Sequence, residues 1–545
     1  MNFITYIVRG SFPFFEQLFV KRRRLVLFVL MPLVSLLFHI AIFGTDLVGI
    51  HVWRQTQTMG TITNFYEAFG RWDFNIFTPH INDYGISQDG RGLYCMEFPL
   101  MQYIVAWFYF ILRVPITEVW LVRVLMFGVG LGTVFGIEAL MRHIFRIDRS
   151  LPLVAAWMLL FSPVFYYYML NPMPDNVALG FSIWGLAIFF KVYEYDHQST
   201  STELRRYLEC LLGSLLLALA ALVKLPYVLF TVPVVILIID DFLYQYAARW
   251  RSVAVLLMLF GCLVSPAWWY MSVVGHWQGN GVVLGILDSR LTAWQWLDIF
   301  AFHWYSTQFE LLLNYAATPF YLFGIASLFI PVLRRRLFAY YRGEAIAVIG
   351  LAVAWISYLA FEANMIGRTH DYYLMPFLPH LLIVATMGLY RLKMVSAAFK
   401  NQNAFHALRF GAVVLTIALP FTAYLRIQQR WNTDNPDTIG FTRDLYVFKH
   451  DLQNAVPDTA LCIVGNDDSH HIWFYYLHKK GWAVEHSDVD AREIRNYVAQ
   501  GAKYLYSDAR TLDTRPDIAP LLDTLLLERG KIRVFRLKPD PALHQ

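Results

Sequence analysis

Long apolar runs alternate with short polar ones over most of this chain, and several runs approach the roughly 20 residues a helix needs to cross a bilayer. The first is Leu25 to Phe43. It is followed by Val119 to Leu140, Leu151 to Leu170, Val177 to Val192, Leu208 to Val223, Tyr227 to Ile239, Val253 to Tyr270, Leu311 to Leu333, Ala345 to Phe361, Tyr373 to Tyr390 and Phe410 to Leu425. The pattern therefore predicts about eleven spanning helices. Phe98 to Leu112 is apolar but short, which predicts a re-entrant or interfacial segment. Two places break the alternation. About fifty polar and aromatic residues separate Gly44 from Glu97, and from about Gln428 the apolar runs shrink to strand length.

That second change predicts a small soluble domain. Ala460 to Gly465, Tyr504 to Tyr506 and Ile532 to Leu537 read as strands, while Phe441 to Asn454, Ser469 to Lys480 and Ala491 to Gln500 read as helices. Such alternation implies an α/β domain. The expected fold class is a polytopic α-helical membrane protein with a small C-terminal α/β domain. Its divisions are 1–24 at the cytoplasmic N-terminus, 25–427 as the membrane region with an outer loop over 44–118, and 428–545 as the soluble domain.

Composition agrees, since 57% of the 545 residues are hydrophobic and only 16% charged, too apolar for a soluble chain of this size. Lys21-Arg-Arg-Arg24 precedes the first run and no small-residue cleavage site follows it, which reads as a retained start-transfer helix with a cytoplasmic N-terminus. Basic residues then fall in alternate loops, as the positive-inside rule requires: Arg142, Arg146 and Arg149, Arg205 and Arg206, Arg249 and Arg251, Arg334 to Arg336, and Arg391, Lys393 and Lys400. The opposite loops hold Asp46, Asp73, Asp83, Asp89, Glu97, Asp175, Asp288, Asp298, Glu310, Glu362 and Asp371. The net charge of +5 is thus a topology signal, and no basic stripe points to nucleic acid. Four scattered cysteines give no metal spacing or disulfide framework, and no P-loop, dinucleotide fingerprint or internal repeat is present.

Ionisable groups near a membrane persist when paired or when they serve a site. Asp46 stands close to His51, Trp53, Arg54 and Gln55, where a guanidinium beside an amide suits a phosphate or sugar oxygen, or an interfacial anchor. Glu97 precedes Phe98-Pro99-Leu100 and reads as a proton acceptor or as a helix-start residue. Arg123 lies near the outer end of the second span and is positioned to meet an anion. Asp175, in Asn171-Pro-Met-Pro-Asp-Asn176, is a second carboxylate on the same side or a helix cap. Lys224-Leu-Pro226 puts an ammonium near the outer surface, as phosphate binder or snorkelling side chain. Arg368-Thr-His370-Asp371-Tyr372-Tyr373 offers groups that orient a hydroxyl. In the C-terminal part, Asn466 to His471 reads as an ion site or as a cap for the helix that follows.

The order of Trp53-Arg54-Gln55, Glu97-Phe-Pro-Leu100, Arg123, Pro174-Asp175, Lys224-Leu-Pro226 and His370-Asp-Tyr-Tyr-Leu-Met-Pro376 resembles the GT-C membrane glycosyltransferases. Within them it is most similar to the bacterial branch of glycosyltransferase family 39, relatives of protein O-mannosyltransferases and lipid A aminoarabinose transferases. The resemblance covers roughly residues 25–424. It implies transfer of a sugar from a polyprenyl-phosphate donor to a glycan, lipid or protein acceptor at the outer face of a bacterial cytoplasmic membrane. Asp46, Glu97 or Asp175 would act as base, Arg54, Arg123 and Lys224 would hold phosphate, and His51, Gln55, His370, Asp371 and Tyr372 would orient sugar or acceptor. The family often carries an Asp-Glu pair soon after the first span, and this chain has none there, so the base does not transfer from that position. No cofactor is assigned, and a divalent metal is left open. The competing readings are a lipid-sugar flippase or transporter, and a receptor or assembly subunit.

Overall fold

The structure, a computed structural model, describes residues 21–145, 150–193, 203–244, 249–275, 291–330, 342–367, 370–397, 402–432, 441–485 and 489–539. Arg146, Arg149, Asp288, Arg334 to Arg336, Arg368 and Lys400 lie outside the described residues. Contacts divide the chain into two compact units. One holds Met1–Phe43, Arg123–Leu170 and Pro174–Ile427, and the other holds Gly44–Val122, Asn171–Met173 and Gln428–Gln545.

The first unit is helical. Among the described residues, eight helices are long and apolar enough to cross a membrane: Val119–Ile144, Pro174–Val192, Glu203–Val223, Leu225–Leu243, Arg249–Val274, Gly343–Ile366, Asp371–Val395 and His406–Trp431. The helix over 23–39 and the shorter apolar helices Leu151–Leu160 and Thr318–Phe329 belong to the same unit.

The chain breaks within the expected span Leu151 to Leu170 and, as expected, between those ending at Val223 and starting at Tyr227, each for a local reason. Between Leu151–Leu160 and Pro163–Tyr168 the chain turns at Ser162, whose extended backbone is what the following proline demands. Lys224 is likewise extended before Pro226, and a 3-10 turn over Leu225–Phe230 precedes Thr231–Tyr244. The expected span Leu311 to Leu333 is also not one regular helix, because a π-helix ends at Leu312 and Thr318–Phe329 begins afresh. Close packing is written into two glycines. A Cβ on Gly388 would stand 1.9 Å from the Phe320 carbonyl oxygen, and one on Gly324 would stand 2.2 Å from that of Val384. Thr318–Phe329 and Leu378–Ala397 therefore cross backbone to backbone, the packing that small residues permit between membrane helices.

The second unit is built on a five-stranded sheet: β1 (Leu461–Gly465), β2 (Lys480–Val484), β3 (Ala502–Ser507), β4 (Leu522–Arg529) and β5 (Ile532–Leu537). Its order is β2-β1-β3-β5-β4, with β1 parallel to β2 and β3, and the β4–β5 hairpin antiparallel at the other edge. β2 and β4 have no counterpart in the sequence reading. The helix expected over Ser469 to Lys480 is shorter, Ile472–Leu477, because His478 takes a left-handed conformation that ends it and frees Lys480 for β2. Side chains alternate between the faces, Cys462 and Val464 on one and Ile463 on the other, and each face carries its own apolar core.

The outer loop packs into this unit. Val52 enters the core with Cys462 and Trp473, and Tyr84 packs on the opposite face beside Trp482. The Tyr84 amide donates to the Gly481 carbonyl at 2.7 Å and the Gly481 amide to that of Asn82 at 3.0 Å, extending the sheet edge by a bridge. Gly481 is required there, as a Cβ would meet the Cys462 carbonyl oxygen at 1.9 Å. Loop helices Val52–Gly70 and Leu100–Leu112 pack through Phe65, Phe69, Tyr103 and Phe110. The second is 13 residues, about 20 Å at 1.5 Å per residue, short of the roughly 30 Å hydrocarbon core.

Candidate active site

The candidate residues divide between the two units. In the sheet-containing unit, His51 stands in a left-handed conformation and opens the helix Val52–Gly70, which carries Arg54, Gln55 and Gln57. One Arg54 terminal nitrogen donates to Gln57 Oε1 and the other to Glu97 Oε1. Gln102 donates to the same carboxylate oxygen at 3.4 Å. Arg54 and Glu97 form a buried ion pair, their side chains 4% and 9% exposed. Beside it lies a cavity of about 20 Å³ lined in part by Arg54, Thr58, Tyr94 and Glu97, room for about one water.

Asp46 is committed elsewhere in this unit. It accepts from the Leu47 amide at 2.8 Å, the Tyr475 hydroxyl at 2.5 Å and Lys449 at 2.7 Å. Gln55 is fully buried and donates to the Ile50 carbonyl at 3.4 Å. His471 is buried too, and burial, with the charges of His470 and Arg54, holds its imidazole well below the ordinary histidine value. It is a neutral ring in electrostatic reach of Arg54, which sequence order gave no reason to place there.

The segment Asn466 to His471 caps the helix that follows. Asp467 accepts from the Ser469 and Trp473 amides, both at 3.0 Å, and Ser469 Oγ accepts from the amides of His471 at 3.1 Å and Ile472 at 3.2 Å. Among the described residues, no group of three or more His, Cys, Asp or Glu stands placed to hold a metal ion. His470 donates instead to buried Asp83 at 2.8 Å, and Lys480 reaches Glu67 at 3.0 Å.

In the helical unit, Asp175 occupies the first turn of Pro174–Val192, where a carboxylate meets the positive end of the helix dipole. It is buried beside Asn176, whose amide donates to the Tyr168 carbonyl. The Tyr168 hydroxyl donates to Asp371 at 2.6 Å, and the Tyr168 and Tyr372 rings meet edge to face at 5.9 Å. The extended backbone at Lys224 carries its ammonium over the Tyr373 ring, 4.8 Å from the centroid. Tyr373 stacks obliquely on Tyr372, and His370 lies against both rings with Nδ1 2.9 Å from the Met365 carbonyl. A 3-10 turn over Asp371–Phe377 gathers the last three expected residues into this cluster. Tyr227 and Tyr358 lie in electrostatic reach of Asp175, and Glu362 in reach of Lys224. Of these, only Glu362 had drawn notice from sequence, as an outer acid. Arg123 is fully buried in Val119–Ile144.

The architecture is shared with solved structures. ArnT from Cupriavidus metallidurans in the apo state superposes with a TM-score of 0.60 over 95% of this chain and 98% of that one, at 16% identity. The chain has the GT-C fold. ArnT from the same organism bound to undecaprenyl phosphate gives a TM-score of 0.58 over 93% and 97% of the two chains, at 15% identity. Within the GT-C fold lies also the archaeal oligosaccharyltransferase AglB from Archaeoglobus fulgidus, in complex with an inhibitory peptide and a dolichol-phosphate. It matches at a TM-score of 0.55 and 15% identity over 90% of this chain and 70% of that one. No family model matches the sequence, and no curated protein does.

Proposed function

We propose that this protein is a membrane glycosyltransferase that moves a sugar from a polyprenyl-phosphate donor to a lipid, polysaccharide or protein acceptor. The reaction takes place at the outer face of a bacterial cytoplasmic membrane. The observation that carries this reading is the GT-C fold over nearly the whole chain, shared with one protein bound to undecaprenyl phosphate and another bound to a dolichol-phosphate. The acidic and aromatic cluster around Asp175 and Lys224 supplies the chemistry.

In the reaction, a carboxylate removes the proton from an acceptor hydroxyl, whose oxygen bonds to the anomeric carbon as the bond to the phosphate oxygen breaks. Polyprenyl phosphate leaves, and the configuration inverts. Asp175 is the base in this reading. Glu97 is the other candidate, its Oε1 already shared by Arg54 and Gln102, whereas Asp46 accepts from Tyr475 and Lys449 and ties its loop to the C-terminal residues. Lys224 and Arg123 balance the phosphate charge in the helical unit, and His370, Asp371 and Tyr372 orient the sugar or acceptor.

Incubating the purified protein with a panel of polyprenyl-phosphate sugars tests the proposal. Consumption of a single donor with release of polyprenyl phosphate is expected. If no donor is consumed while labelled donor crosses the bilayer of reconstituted vesicles, the protein is a flippase and the proposal is wrong.

A further inference from the structure

A groove of about 310 Å³ opens within the helical unit, at the lower end of the range for ligand sites, about 300–1,000 Å³. Four helices wall it: 23–39, Leu151–Leu160, Leu378–Ala397 and Gln402–Ile427. Its body is apolar, with Leu30, Val154, Trp157, Ala412 and Ile417 among the lining residues. Trp157 Nε1 donates to the Thr416 carbonyl at 2.9 Å and ties two of the walls together.

Charge is confined to one end. Lys393 and Arg409 line the groove, and no acidic side chain does so among the described residues. Ser150 borders one of the loops that the positive-inside rule marks as cytoplasmic, and Lys393 and Arg409 lie within about two helical turns of another. The wall helix 23–39 follows directly on Lys21 and Arg22, and of this basic run Arg23 is held by Glu138 at 2.6 Å while Lys21, Arg22 and Arg24 are exposed. An apolar channel with cations only at the headgroup level matches one class of ligand, a lipid with an anionic head.

We propose that the groove binds an anionic glycerophospholipid from the cytoplasmic leaflet, one acyl chain lying between the four helices and the phosphate resting between Lys393 and Arg409. The lipid braces the helix 23–39 against Leu378–Ala397 and Gln402–Ile427. This site is separate from the residues assigned to sugar transfer, and it does not depend on that assignment.

Native mass spectrometry of the full-length protein tests it, with phosphatidylglycerol and phosphatidylcholine of identical chains supplied in equal amounts. The wild type retains phosphatidylglycerol at least tenfold more than phosphatidylcholine. A Lys393→Gln/Arg409→Gln double variant, changed only at half-buried polar positions, loses that preference, and Ala412→Trp, which fills the groove, loses both adducts. Equal retention of the two lipids by the wild type overturns the proposal. So does full retention of phosphatidylglycerol by the double variant, or its displacement by equimolar undecaprenyl phosphate.

Discussion

Arg54 and Glu97 stand 43 residues apart and meet out of water, so each compensates for the other's burial. Removing one partner of such a pair costs about 3–5 kcal/mol, because the remaining charge is stranded. Arg54→Ala and Glu97→Ala are each expected to lower the thermal midpoint of the purified protein markedly, and the double variant less than the sum of the two, as a double-mutant thermal-shift cycle would record. Strict additivity would mean that the pair does not hold in solution. His470 and Asp83 give a second expectation. Burial opposes charge on His470, but the hydrogen bond to Asp83 and the charges of Asp83, Asp467 and Glu485 outweigh it and raise its pKa above the ordinary 6.5. A raised folded-state value stabilises fully below the unfolded value and is lost as pH rises through the folded one. Thermal stability should therefore fall as pH climbs upward from about 6.5, and the His470→Gln variant should show less of that slope. Residue types were legible in the sequence, but these partners were not: nothing local joins position 83 to 470.

At the scale of elements, apolar periodicity located the long helices well because a spanning run carries its signal in one contiguous segment. It located β2 and β4 poorly. β2 is five residues separated from the preceding helix by only His478 and Lys479, and β4 is an edge strand whose side chains are mostly exposed, so neither shows clean alternation. The breaks at Ser162 and Lys224 were partly legible, since each sits within two residues of a proline. The crossing at Gly388 was not, because a glycine in an apolar run looks like any other small residue until its neighbour is known. Gly388→Leu is expected to force Leu378–Ala397 away from Thr318–Phe329 and to abolish folded protein, as size-exclusion chromatography in detergent would register; a normal monodisperse peak would refute the close crossing. Helix Leu100–Leu112, too short to span, gives a topological expectation. Single cysteines at Trp72 and Arg113, both exposed at its two sides, should react with a membrane-impermeant maleimide added from the outer face of cells. Protection at Arg113 alone would make this helix a span.

For the whole molecule, the loop over 44–122 and the C-terminal residues form one folded unit although some 300 residues separate them in sequence. The Asp46 contacts to Tyr475 and Lys449, the Asp83 contact to His470 and the bridge at Gly481 explain why a loop this long is ordered. Order of this kind is expected where a loop serves a site and not merely a connection. In the proposed reaction a carboxylate on this scaffold activates an acceptor for attack on a polyprenyl-phosphate sugar. The most direct measurement is the single-turnover rate of sugar transfer from the identified donor in proteoliposomes, for the wild type, Asp175→Asn and Glu97→Gln. A general base contributes about 10²–10⁴-fold. The account predicts that Asp175→Asn loses at least about 100-fold in rate while still binding polyprenyl phosphate. Wild-type rates in both amide variants would contradict it.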